Sequence, residues 1–329
     1  MAELGLYVGT SGMSMWASED GGGTWIRPYG RGLYGESRVF SLTSQPADGG
    51  SVLAGTDQGI YRWHATDHRW EHLPSPMDDV QTWSLVQSPH DPGVLLAGTR
   101  KAELFRSEDA GKTWSRLPVK LATECAAVEV PRVTQIVFDP DNAELVWVGV
   151  EIDGVWRSED GGRTFEKHVR GLTTEDIHGL SVVYQDGQRW VFAVTNGGLF
   201  SSLDDGLSWQ ERPFEGKSRY TRSIVERADR RGVLFMTNGD GPPGSTGRLL
   251  KSDDYGETWT DAGLPGEPNS TPWCIAVHPA SPDLVYTCTN LGQVYRSQDG
   301  GETWSQLKRQ FGEIRSMILR PLDDSPPKL

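Results

Sequence analysis

Apolar and polar positions alternate along this chain in short runs, and the runs come in sets. A set opens with an alternating segment such as Val39-Phe40-Ser41-Leu42, which reads as a strand with one buried face. A Pro/Asp turn follows, as at Asp139-Pro140-Asp141 or His278-Pro279. A second run ends in Ala-Gly-Thr, as at Ala54-Gly55-Thr56 and Ala97-Gly98-Thr99. A third carries Tyr61-Arg62 or Phe105-Arg106 and leads through a polar, glycine-rich turn into a fourth. The pattern predicts four antiparallel strands in each unit of about 47 residues.

The polar turn is the most regular part, with the form Ser-x-Asp-x-Gly-x-Thr/Ser-Trp/Phe. It occurs at Ser18–Trp25 (SEDGGGTW), Ser107–Trp114 (SEDAGKTW) and Ser158–Phe165 (SEDGGRTF). It returns at Ser202–Trp209 (SLDDGLSW), Ser252–Trp259 (SDDYGETW) and Ser297–Trp304 (SQDGGETW). Asp and Ser side chains bond backbone N–H groups a few residues on, and glycine permits positive φ, so each copy predicts a tight hairpin turn. The aromatic that follows is placed to wedge against a neighbouring sheet. Between the first two copies, Tyr61-Arg62-Trp63 to Trp70 aligns with Phe105-Arg106-Ser107 to Trp114 without insertion. There Trp63, Ala65 and Asp67 replace Ser, Asp and Gly, and only Trp70 keeps its type. The starts then fall at residues 18, 63, 107, 158, 202, 252 and 297, so seven units fill residues 1–329 as one domain.

The chain begins with a second-strand sequence, Leu6-Tyr7-Val8-Gly9-Thr10, and ends with a first-strand sequence, Ile314-Arg315-Ser316-Met317-Ile318. The expected architecture is all-β: a seven-bladed β-propeller of four-stranded antiparallel blades, its ring closed by pairing the C-terminal strand with the N-terminal blade. An open solenoid would need distinct polar caps.

The repeated turn resembles that of the Asp-box, or bacterial-neuraminidase-repeat, propellers, which include sialidases, xyloglucan-degrading glucanases, sortilin-type receptors and photosystem assembly factors. The resemblance covers the whole chain. It implies the propeller fold, ligands on the face of the interblade connections, and boxes remote from them. Fold alone does not set the chemistry. Sialidases are six-bladed, and of their Phe-Arg-Ile-Pro motif only Arg27-Pro28 has a counterpart here. Their Tyr nucleophile cannot be placed on this sequence, Tyr220 being only a guess at it. Xyloglucan-degrading members use a cleft between two propellers, and this chain supplies one.

Connectivity sorts the loops. In an up-and-down blade the boxes, as third-to-fourth turns, lie opposite the interblade connections, so Asp20, Asp109, Asp160, Asp204, Asp254 and Asp299 are expected to be structural. The two long units owe their length to the connection 115–133 and the second-to-third loop 238–248, both on the interblade face, where variable loops carry function. The second residue of each first strand is Phe40, Trp83, Thr134, His178, Arg222, Trp273 or Arg315. A packing position repeated by symmetry should look alike in every unit, and this one does not. Arg38, Arg132 and Arg219 lie close by in sequence, as do the acids Glu36, Asp78, Asp79, Glu151, Asp153 and Asp176. Either the aromatics pack between blades and the arginines pair with these acids, or the set lines a pocket at the channel mouth.

Composition narrows the partners. The net charge of −13 disfavours nucleic acid and anionic membrane. The N-terminal segment shows no basic stretch or apolar core of an export signal, so a cytoplasmic location is expected. Of the three cysteines, Cys274 and Cys288 should face each other across a hairpin as buried thiols, in the places held by Ser84 and Gly98. His64, His68 and His72 have no metal-ligand spacing and are expected on one exposed strand face; no metal or cofactor is expected. Two functions follow. One is a hydrolase or lyase of glycosidase-like type, with His178, Asp176 and Glu151 for acid–base work and Arg222, Arg315, Trp83, Trp273, Arg38, Arg132, Phe40 and Tyr220 around a small anionic or carbohydrate ligand. The other is a noncatalytic scaffold that grips a protein partner with the same ring and the loop 238–248.

Overall fold

Residues 3–28, 31–45, 51–65, 67–126 and 128–322 are described by a computed structural model, and every regular element among them is a β-strand. The first blade's Pro/Asp turn, at 46–50, lies outside the described residues, as does 323–329. Six sheets each hold four antiparallel strands in chain order. Their innermost strands are Val39–Gln45, Gln81–Gln87, Val133–Phe138, Ile177–Gln185, Tyr220–Glu226 and Pro272–Ala276, and the sheets are numbered here as blades one to six. Blade seven joins the chain's two ends. Ile314–Pro321 lies innermost and pairs with Leu4–Thr10, from Leu4 opposite Pro321 to Thr10 opposite Ile314. Met15–Ser18 follows, and a single bridge from Ala17 to Ile26 stands in the fourth position. That strand is cut short because Pro28 has no N–H for a ladder and Arg27 reaches back to the Met13 and Gly35 carbonyls. Each innermost strand touches the next, and Ile314–Pro321 touches Val39–Gln45, which closes the ring.

The core is a set of slabs between blades. Alternation along each strand sends successive side chains to opposite faces, so every blade feeds both of its neighbours. Leu53, Ile60 and Leu73 of blade one meet Leu85, Leu95 and Phe105 of blade two. Leu4, Leu6 and Val8 of blade seven meet Tyr286 and Val294 of blade six. Seven such clusters occur among the described residues, one for each blade interface.

The six boxes share one hydrogen-bond scheme. In the third blade, Ser158 Oγ accepts the Gly162 N–H at 2.9 Å and donates to Asp160 Oδ1 at 2.7 Å. Asp160 accepts the Thr164 N–H at 2.9 Å and the Thr164 hydroxyl at 2.6 Å. The box tryptophans bond a backbone carbonyl, as Trp114 Nε1 does that of Gly111 at 3.1 Å. Two tryptophans reach instead to the connection before their blade: Trp70 Nε1 of the degenerate blade donates to the Pro28 carbonyl at 2.8 Å and Trp209 Nε1 to that of His168 at 3.1 Å. The three histidines there do not share a strand face. His64 ends the third strand, His68 sits in the turn at a φ of 50°, and His72 lies in the fourth strand, because the hairpin reverses between them.

Three outcomes follow from this frame. Deleting the chain from Ile314 onward should abolish the cooperative melt and promote self-association, read by calorimetry and size-exclusion chromatography, because it exposes two unpaired edges. Asp160→Ala should lower stability by about 1–2 kcal/mol, the usual cost of stranding donors. Burial pushes the Asp160 carboxyl up, but the Thr164, Ser158 and Arg163 donors outweigh it and hold it at about 2; the Thr303 and Ser297 donors hold Asp299 at about 2 as well. These folded values lie below the ordinary carboxylate value of 3.8, so the stabilisation is complete above it and is lost as pH falls toward 2. The acid-induced fall in Tm should be shallower in the double variant Asp160→Asn/Asp299→Asn.

Candidate functional site: the inner-strand bulges and the channel mouth

Every innermost strand is interrupted at the same place. Register shifts fall between Val39 and Ser41, Thr82 and Ser84, Val133 and Gln135, Ile177 and Gly179, Thr221 and Ile224, and Pro272 and Cys274. In blade seven Ser316 faces Gly9 and Ile314 faces Thr10, which leaves Arg315 over. The residues at these bulges are Phe40, Trp83, Thr134, His178, Arg222, Trp273 and Arg315, the aligned position whose types differ from blade to blade. A bulge re-aims the unpaired side chain and leaves backbone groups without a ladder partner. Side chains of the preceding blade take up several of those carbonyls. Thr134 Oγ1 donates to Ile177 O at 2.7 Å, His178 Nδ1 to Thr221 O at 2.6 Å, Ser41 Oγ to Thr82 O at 3.4 Å and Cys274 Sγ to Arg315 O at 3.4 Å.

The re-aimed side chains meet across the ring. Phe40 stacks on Trp83 with centroids 4.4 Å apart and planes at 23°. The Arg132 guanidinium lies 4.1 Å from the Trp83 ring centroid and that of Arg315 at 5.4 Å. Arg315 also lies 5.3 Å from Trp273, over which Arg222 sits at 4.4 Å. Stacking of this kind supports a guanidinium without neutralising it. Arg132 pairs with the buried Glu151, and Arg315 with Glu313. Burial, then the charges of Arg222, Arg315 and Arg100, bring Arg132 down to about 10 against the pull of Glu151. Burial and Arg222 likewise lower Arg315.

His178 stands behind these groups, its ring 4.7 Å from that of Tyr220 and its Nε2 3.4 Å from Asp176 Oδ2. Because a carbonyl only accepts, Nδ1 carries a proton. Burial pushes the Asp176 carboxyl up, but the His178 bond and the charges of His178, Arg222 and Arg132 prevail and it is lowered. Burial raises the Tyr220 hydroxyl, against Arg222.

A cleft of about 370 Å³ opens at this mouth, lined by Arg132, Trp273, Asn290, Leu291, Glu313 and Arg315 together with the Pro242-Pro243 stretch of the long loop. Three donors of its lining residues have no hydrogen-bond partner among the described residues: Arg132 Nε, Arg315 Nε and Nδ2 of the buried Asn290. A wider depression of about 650 Å³ lies at the first box, between blades six and seven, and holds none of the bulge residues.

The BNR/Asp-box repeat family matches residues 295–306, which carry the last box. Five further boxes bond as that one does. The chain is an Asp-box β-propeller. This propeller is 23% identical over 332 residues to the oligoxyloglucan-reducing end-specific xyloglucanase of Emericella nidulans, covering 84% of this chain and 41% of that protein. It thus spans about two-fifths of the length of the curated relatives it matches first. Among solved structures, the GH74 xyloglucanase of Xanthomonas campestris superposes with a TM-score of 0.62 at 23% identity, over 84% of this chain and 45% of that one. The structure titled YCF48 bound to D1 peptide superposes with a TM-score of 0.56 at 15% identity, over 87% of this chain and 93% of that one.

Of the residues singled out in the sequence, the Asp-box propeller gathers Phe40, Trp83, Arg132, Glu151, Asp176, His178, Tyr220, Arg222, Trp273 and Arg315 around one mouth. Arg38 is exposed, and its backbone N–H bonds Asp57 Oδ1 at 3.0 Å. Arg219 turns to Phe214, 5.0 Å from its ring. Asn290, Leu291 and Glu313 were missed. The symmetry test that exposed the aligned inner-strand position, applied just after the second strand, reads Ser11, Asp57, Arg100, Glu151, Asn196, Gly239 and Asn290, and would have found Asn290. Removing one partner of the Arg132–Glu151 pair should be costly. Arg132→Met should destabilise by about 3 kcal/mol, and adding Glu151→Gln should recover most of it, because an unpaired buried carboxylate is the main penalty; chemical denaturation of both variants checks this.

Proposed function

We propose that this propeller binds a small anionic or sugar-like ligand in the cleft at the channel mouth. The observation that carries the reading is that three residues lining one cleft each hold a buried donor without a partner among the described residues: Arg132 Nε, Arg315 Nε and Asn290 Nδ2. Buried donors are ordinarily satisfied, and a carboxylate or hydroxyl oxygen is the partner they fit. Trp273 is buried beneath two guanidinium groups, so it serves as their platform, and recognition falls to the polar groups. The likeness to xyloglucanases supports a saccharide body for the ligand.

Binding is favoured over hydrolysis. A glycosidase needs one carboxyl group to give a proton and another to act as base or nucleophile. At this mouth Glu151 is held by Arg132, Glu313 by Arg315 and Asp176 by His178. His178 has Nδ1 committed to the Thr221 carbonyl, the frame-holding role that Thr134 plays one blade earlier. A scaffold that grips a protein has its own support. Met13, Tyr34 and Leu291 are exposed on loops of the mouth face, and the match to the YCF48 structure runs over 93% of that chain.

Isothermal titration with a uronate-bearing oligosaccharide and its neutral counterpart tests the reading. The charged sugar should bind more tightly. Arg315→Ala should weaken it about tenfold or more and Asn290→Ala roughly fivefold, from the usual worth of charged and neutral hydrogen bonds. Asn290→Ala should not lower Tm, since it removes a donor that has no partner. Equal affinity of both variants and the parent would overturn the assignment.

A further inference from the structure

Two of the chain's three cysteines occupy one pair of facing positions, Cys274 on Pro272–Ala276 opposite Cys288 on Val285–Thr289. Blade four sets Val194 opposite Gly179 at the matching place, and four other blades set glycine on the second strand, Gly55 opposite Ser41, Gly98 opposite Ser84, Gly149 opposite Gln135 and Gly9 opposite Ser316. Glycine stands there because the next blade leans on it: a Cβ on Gly55 would come within 2.3 Å of Ser41 Oγ and 2.7 Å of the Thr82 carbonyl. Blade six puts a thiol at this crowded spot. Cys288 is fully buried and stands directly across the ladder from Cys274, which is partly exposed. Directly opposed residues of an antiparallel ladder have Cα atoms about 4.5–5.5 Å apart, inside the range of about 4.4–6.8 Å that disulfides span.

We propose that Cys274 and Cys288 form an oxidisable thiol pair that closes to a disulfide beneath Trp273 and Arg315. The partly exposed Cys274 meets a peroxide first. Its sulfur attacks one peroxide oxygen, the O–O bond breaks, and a sulfenic acid and one water form. The Cys288 sulfur then attacks the Cys274 sulfur. The S–S bond forms, the S–O bond breaks, and the hydroxyl leaves as a second water with the Cys288 proton. Two thiols lose two electrons and the peroxide gains them; a dithiol reverses the step. Burial keeps the Cys288 thiol protonated, so it resolves the sulfenic acid instead of initiating. Closure also removes the S–H that Cys274 donates to the Arg315 carbonyl, which ties the thiols to a residue lining the cleft. The inference is independent of the ligand reading.

The full chain, reduced and then exposed to hydrogen peroxide, is examined by intact mass and by peptide mapping after alkylation. The expected product has lost two hydrogens, contains a Cys274–Cys288 cross-linked peptide and reverts with dithiothreitol. Cys125→Ser should still give it, and Cys288→Ser should give only oxygen addition at Cys274. If Cys288→Ser does not fold, the peptide map of the parent and of Cys125→Ser decides alone. Oxygen addition without loss of two hydrogens in the parent, or a cross-link that includes Cys125, would overturn the proposal.

Discussion

Everything in this molecule depends on the pairing of its tail with its head. Ile314–Pro321 and Leu4–Thr10 form one ladder, so the sheet edges of the first and last repeats disappear into a shared blade. Only a closed ring aims seven inner strands at one axis. The closing strand also carries Arg315, which bridges the rings of Trp83 and Trp273. The contact that completes the fold therefore completes the mouth as well, and a ring left open would lose both.

The two ends of the blades divide the labour. At the box end, a short side chain, an acid and a glycine satisfy one another within eight residues, with the same partners in six repeats, and little is left over to meet a ligand. At the other end each inner strand gives up its regular ladder at one residue, and the loose backbone is secured by the neighbouring blade. Regularity lost from the backbone is what lets aromatic and charged side chains reach the axis. The cations they bring are stacked on rings and matched by Glu151, Glu313 and Asp176, so the mouth is crowded but close to electrically balanced. What it lacks is acceptors for particular N–H groups.

The blade count, the phase of the two ends and the facing of Cys274 and Cys288 were legible in the sequence, because a repeat read seven times averages out local ambiguity. So was the aligned position at the mouth, since it violates the repeat. The sequence did not show that this position is a bulge: the extra residue of a bulge is visible only as a difference in length, and here all seven strands share it, so no repeat stands out. Asn290 and Glu313 escaped because they lie on turns flanking the strands, where variation looks ordinary. Arg38 was drawn in by proximity along the chain, yet its side chain is exposed at a strand end. The reduced fourth strand of blade seven was hidden behind an intact box; only Pro28 hinted at it.

Four ties across the bulges run the same way. Ser41 serves the carbonyl of Thr82, Thr134 that of Ile177, His178 that of Thr221 and Cys274 that of Arg315, each donor belonging to the blade before its acceptor. Arg222 runs the other way, donating to the His178 carbonyl of the blade before it at 3.5 Å, so the bulges of blades four and five are tied in both directions. Damage to one of the four donors is expressed in the next blade, and compensating changes in a screen for suppressors would accumulate there, whereas lesions at Arg222 would be answered in the blade before.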